Sequence, residues 1–85
     1  MRFPIERSQA FITFRRSSPA LLGTVIEVID EHTCWINRGH HNTLYEYDVS
    51  TELWYPTCVD YGDYKVDIRC GGFSIEFIPE LEWEE

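Results

Sequence analysis

The chain has 85 residues, enough for one hydrophobic core and too few for two domains. With 44% hydrophobic and 15% aromatic residues it stands apart from the weakly hydrophobic, highly charged compositions that stay unfolded, so a fold is expected. A net charge of −8 disfavours general binding to the phosphates of nucleic acid and favours a basic partner.

The chain opens with Met1-Arg2-Phe3-Pro4-Ile5-Glu6, which lacks the apolar stretch of a secretory signal. No later run approaches the roughly 20 apolar residues that cross a bilayer, so a cytoplasmic protein with no membrane contact is expected. Phe11-Ile12-Thr13-Phe14 is β-prone and ends at the polar stretch Arg15-Arg16-Ser17-Ser18-Pro19, which predicts a first strand and a loop. Pro19-Ala20-Leu21-Leu22 has the residue types for about one helical turn. Thr24–Ile29 is rich in β-branched residues with apolar side chains on both faces, as in a central strand covered on two sides.

A turn at Asp30-Glu31-His32 returns the chain through Thr33–Asn37, and a loop at Gly39-His40-His41-Asn42 leads into Thr43–Val49. These segments predict a three-strand meander. Ser50-Thr51-Glu52-Leu53-Trp54 suits one further helical turn. In the last third Tyr64, Val66, Ile68 and Cys70 alternate with Lys65, Asp67 and Arg69, and Phe73, Ile75 and Phe77 alternate with Ser74 and Glu76. Gly71-Gly72 between the two runs tolerates the positive φ of a two-residue turn, which predicts a hairpin. Pro79 weakens the ladder, and Glu80–Glu85 follows as an acidic arm or edge strand.

The fold class expected is therefore mainly β. It is a small antiparallel barrel or two-layer sheet, SH3-like or OB-like in pattern, of five to seven short strands with little helix. Residues 1–85 form a single domain.

Charge is distributed unevenly along the chain. Residues 1–20 sum to +3 through Arg2, Arg7, Arg15 and Arg16, residues 21–45 to −2, and residues 46–85 to −9. Two readings compete for this asymmetry. Carboxylates keep a small protein soluble, and they also steer it toward a positively charged macromolecule, in the extreme by occupying a site meant for nucleic-acid phosphates. The carboxylates concerned are Glu46, Asp48, Glu52, Asp60, Asp63, Asp67, Glu76, Glu80, Glu82, Glu84 and Glu85.

Among the aromatics, Leu53-Trp54-Tyr55-Pro56 with Tyr61 and Tyr64 is the candidate contact surface, since Trp and Tyr dominate binding hot spots. In so small a domain most aromatics belong to the core. Trp54, Tyr55 and Trp83 are the ones expected outside it, because Pro56 and the acidic tail flank them. The partner-binding set is thus Trp54, Tyr55, Glu46, Asp48, Glu52, Asp60, Asp63, Glu80, Glu82 and Trp83.

Chemistry of other kinds has weaker support. Three cysteines, Cys34, Cys58 and Cys70, lack CxxC spacing and suit reduced thiols, with a Cys58–Cys70 bridge as the open alternative. His32, Cys34, His40 and His41 lie within ten residues of one another, and Cys58 or Cys70 would complete a zinc or thiol site. Their spacing matches no structural zinc pattern, and no nucleophile, phosphate-loop or metalloprotease motif occurs. No catalytic residue, metal or cofactor is expected. The function expected is a noncatalytic protein-binding module, a small acidic inhibitor or adaptor of the type carried by phages and mobile elements, covering a basic surface on a larger partner. The alternatives are a barrel that binds nucleic acid through the N-terminal arginines, the metal or thiol site, and a homo-oligomeric structural subunit.

Overall fold

The computed structural model describes residues 4–13, 20–68 and 71–78. Seven strands appear in chain order: β1 Gln9–Thr13, β2 Leu21–Asp30, β3 Thr33–Asn37, β4 Asn42–Asp48, β5 Leu53–Asp60, β6 Lys65–Asp67 and β7 Ser74–Ile78. They form one antiparallel sheet in the order β6-β5-β4-β3-β2-β1-β7. No helix occurs among the described residues, and none is long and apolar enough to cross a membrane. The mainly β class read from the sequence is the class observed.

The sheet curls around its own core. β1 to β5 and β7 each send side chains into one cluster comprising Ala10, Ile12, Val25, Cys34, Ile36, Tyr45, Trp54 and Phe77, all buried. The register explains this convergence, because Val25, Ile36, Thr43 and Val59 lie opposite one another across four strands and share a face. The curl stops short of a closed barrel. Its free margins meet at one bridge, where the Trp54 and Phe73 amides each donate to the other's carbonyl at 2.8 and 2.7 Å.

Three expectations are corrected. The predicted Gly71-Gly72 hairpin does not form: β6 pairs with β5, whereas β7 crosses the molecule to pair with β1. Gly72 serves a close approach instead of a positive-φ turn, since a Cβ there would lie 2.6 Å from Leu53 Cδ1 and 3.1 Å from Tyr55 Cζ. Tyr64 and Val66, expected on an apolar inner face, are consequently exposed, Tyr64 just before the edge strand β6 and Val66 within it, and β6 adds nothing to the core cluster.

The second correction concerns β2, which is covered on one side only. Its ladder with β3 runs Val25 to Ile36, Glu27 to Trp35, Val28 to Cys34 and Asp30 to Thr33, leaving Ile26 and Ile29 without an opposite residue. Such bulges extrude the extra residue, and Ile26 and Ile29 are exposed. The third is β5, where one helical turn was expected over residues 50–54. Leu53 and Trp54 are strand residues, as are Leu21 and Leu22 of the other expected turn.

Pro56 was a reason to expect Trp54 and Tyr55 outside the core, yet it is itself buried within β5. Trp54 directs its amide and carbonyl away from β4 toward Phe73, and Pro56, two residues on, faces the same side. There the outer edge of β5 changes partner, from Phe73 at Trp54 to Ile68, whose amide donates to the Thr57 carbonyl at 3.1 Å. Pro56, which has no N–H to give, sits at that changeover.

Candidate functional site

A meander alternates its turns between two ends, so residues distant in the chain become neighbours. The β2–β3 turn and the β4–β5 turn lie at one end, and contact between them is direct: the Tyr47 amide donates to the His32 carbonyl at 2.8 Å, and the two rings are 5.4 Å apart. This end gathers Asp30, Glu31, Glu46, Asp48 and Glu52, all exposed. The β3–β4 and β5–β6 turns share the opposite end, with His41 packed on Tyr61 at 5.4 Å and Tyr61 stacked on Tyr64 at 5.1 Å.

The acidic end contains a groove of about 610 Å³ along β4 and β5. Its walls include Glu46, Asp48, Val49, Tyr55 and Thr57, and Glu46 lies directly opposite Tyr55 in the β4–β5 register. Thr57 donates its hydroxyl to Glu46 Oε2 at 3.3 Å, and the Tyr55 hydroxyl donates to Thr51 Oγ1 at 3.1 Å. Each contact limits the rotamers of a groove wall. Gly72 closes against the Tyr55 ring from behind, so the ring is fixed on one side and half-buried. Val49, 67% exposed, forms an apolar rim.

Asp48 is held by hydrogen bonds within its own turn. Its Oδ1 accepts from the Ser50 hydroxyl at 2.6 Å and from the Ser50 amide at 2.8 Å, and these bonds hold its carboxyl below the ordinary aspartate value. Asp48 therefore keeps its charge to a lower pH than an ordinary aspartate. Glu52 closes the same turn with φ at 61°, a left-handed conformation that most side chains avoid.

The partner-binding residues expected from the sequence are thus divided by the fold. Glu46, Asp48 and Tyr55 meet in the groove, with Glu52 in the turn beside it. Asp60 and Asp63 lie at the other end, where Asp60 Oδ1 accepts the Gly62 amide at 2.8 Å. Trp54 is corrected outright from surface to core: it is 3% exposed and packs between Tyr47 and Phe77, at 5.2 and 5.4 Å. Strand alternation is the reason, since Trp54 and Tyr55 on consecutive positions of β5 must point to opposite faces. Glu80, Glu82 and Trp83 lie outside the described residues, as do Arg2, Arg15, Arg16, Cys70 and Pro79.

One feature escaped the sequence reading and a second was legible only in part, since the candidate contact surface includes Tyr61 and Tyr64 while exposure was expected at Trp54. Asp30 and Glu31 join the acidic end through topology, although they precede the acidic half of the chain. Tyr61 and Tyr64, 48% and 59% exposed, are the outward aromatics that Trp54 was expected to provide. The turn signal Asp60-Tyr61-Gly62-Asp63, with Gly62 at positive φ, marks them as residues of a connection and not of a buried strand face.

The residues proposed for a zinc or thiol site are separated. His32 sits in the β2–β3 turn beside Glu31, while His40 and His41 lie beyond the far end of β3, roughly 17 Å of strand away. Cys34 is fully buried, and burial pushes its thiol up to about 12, which disfavours the thiolate that a ligand or nucleophile requires. Among the described residues no three His, Cys, Asp or Glu side chains form a group able to hold a metal ion. Cys34 and Cys58 carry free thiols. Compared with protein-family models, curated proteins and solved structures, the chain matches none.

Proposed function

We propose that this chain is a noncatalytic protein-binding module whose acidic end covers a basic surface of a larger macromolecule, in the manner of a small inhibitor or adaptor. One observation carries the reading: the β2–β3 and β4–β5 turns lie together, so five exposed carboxylates, Asp30, Glu31, Glu46, Asp48 and Glu52, share one end of the sheet, and Glu46 and Asp48 line a groove there with Tyr55 and Val49. Carboxylates on several turns add their fields at long range and raise the rate of encounter with a cationic surface. At contact, a half-buried tyrosine and an exposed valine offer apolar area for the stem of an inserted lysine or arginine, while Glu46 and Asp48 receive its charged head. Phosphate mimicry of the sort used by phage-encoded inhibitors of nucleic-acid-binding proteins is one form this activity takes.

The test is affinity capture from an extract of the producing cell, with wild-type protein and a Glu46→Lys/Asp48→Lys variant as parallel baits. A partner retained by the wild type should thin as salt rises from low to physiological strength and should be lost by at least about tenfold on the reversed bait. Retention that ignores both salt and charge reversal would sink the reading. Nucleic acid retained in place of protein would transfer the function to the alternative of a nucleic-acid-binding barrel.

A further inference from the structure

We infer that two copies of this chain pair edge to edge through β6, antiparallel about Val66, which extends one sheet across both molecules. β6 stands at the end of the strand order, and among the described residues no strand lies beyond it. The direction of its backbone groups follows from its ladder with β5. Ile68 donates its amide to the Thr57 carbonyl, Tyr64 accepts the Tyr61 amide at 2.9 Å, and Val66 lies opposite Val59. Tyr64, Val66 and Ile68 therefore turn their backbone groups toward β5, and the alternate residues Lys65 and Asp67 turn theirs outward.

A second copy has three registers that use those outward groups. Lys65 opposite Lys65, or Asp67 opposite Asp67, sets like charges face to face and is destabilising. The third sets Lys65 of each copy opposite Asp67 of the other. It is the register a two-fold axis through Val66 generates, so the interface is self-complementary and closes at two molecules. Each Lys65–Asp67 pair exchanges two backbone hydrogen bonds, and its side chains are of opposite charge on one face.

On the other face the axis brings the two Val66 side chains together, in the closer class of antiparallel pair, and sets Tyr64 opposite Ile68. Val66 and Tyr64 are 38% and 59% exposed in the single chain, so pairing covers the apolar surface that the missing hairpin leaves bare. Antiparallel docking also points the two acidic ends in opposite directions, which limits repulsion between molecules of net charge −8. Lys65 Nζ, 6.0 Å from the Trp35 ring centroid, lies over the same outer face on which it would meet its partner carboxylate.

Sedimentation velocity from about 10 μM to about 1 mM, the range suited to a short interface, tests the inference. A concentration-dependent dimer is expected, and Lys65→Asp or Asp67→Lys alone should weaken it by about tenfold or more, because each sets like charges opposite one another. The double exchange Lys65→Asp/Asp67→Lys restores opposite pairing and should restore the dimer. Amide exchange at Lys65 and Asp67 should slow as concentration rises, with no matching change at Val66. A monomer throughout the range, a dimer indifferent to the single variants, or a double variant no better than the singles would overturn the inference.

Discussion

The two ends of the sheet are built from the same residue types turned to opposite use. At the acidic end Tyr45 and Trp54 face inward, with Tyr47 half-buried against them, and the surface is left to carboxylates. At the opposite end Tyr61 and Tyr64 face outward near His41, Arg38 and Lys65, and the acidic residues of its two turns are Asp60 and Asp63. The difference lies in position rather than composition. On a strand, alternation commits every second aromatic to the core, whereas a turn makes no such commitment.

The largest effect separates the two sets of rings. Trp54→Ala should destabilise the fold by about 3–5 kcal/mol, the cost of emptying a buried Trp site, and denaturant melts would measure it. Tyr61→Ala and Tyr64→Ala should stay within about 0.5 kcal/mol of wild type in the same melts. A mild Trp54→Ala variant would break the comparison at its root.

Much of this organisation was legible in the sequence, and the misses share a cause. Thr33–Asn37 is a strand with the bounds expected, and the alternation at Phe73, Ile75 and Phe77 holds, because local periodicity reports the face of a strand. Local periodicity does not report which strand lies alongside. Lys65–Asp67 and Ser74–Ile78 are both strands, yet the chain between them crosses to another edge, and Gly72 answers to Leu53 and Tyr55 instead of to a turn. The candidate site was legible in Glu46, Asp48 and Tyr55 but not in Asp30 and Glu31, whose proximity exists only once the meander is folded. Trp54 was misplaced because the neighbouring Pro56 suggested a site outside the core, and the change of partner along the edge of β5 has no sequence signature.

The next effect is on recognition. Reversing Glu46 and Asp48 to Lys should cost a bound partner at least about 1.4 kcal/mol, tenfold in affinity, while Asp60→Lys/Asp63→Lys should cost distinctly less. Titration calorimetry on the captured partner distinguishes the two. Equal losses would mean that net charge, not the acidic groove, governs binding.

Backbone strain offers a finer contrast. Gly62 takes a φ of 98° at the aromatic end, where Ala should cost about 1 kcal/mol. Glu52 takes 61° at the acidic end without being glycine, so Glu52→Gly should leave stability unchanged or raise it by a few tenths of a kcal/mol, seen as a small upward shift in Tm.

The smallest effect is on titration. Asp48 should titrate below the ordinary aspartate value of 3.8 by carboxyl-carbon NMR, and Ser50→Ala should move it back up. Because its folded value is depressed, its contribution to stability is present above the ordinary value and lost as pH falls through the lower, folded one. Unchanged titration in Ser50→Ala would show that the Ser50 hydroxyl does not hold the charge.

Pro56 has a consequence for how the protein behaves when crowded. A strand displacing β6 and the Phe73 bridge from the outer side of β5 would need a continuous row of donors, and the row is interrupted at Pro56. Even with those neighbours displaced, templated stacking of the kind that seeds fibrils finds no unbroken run to copy along β5, the longest strand of the acidic half.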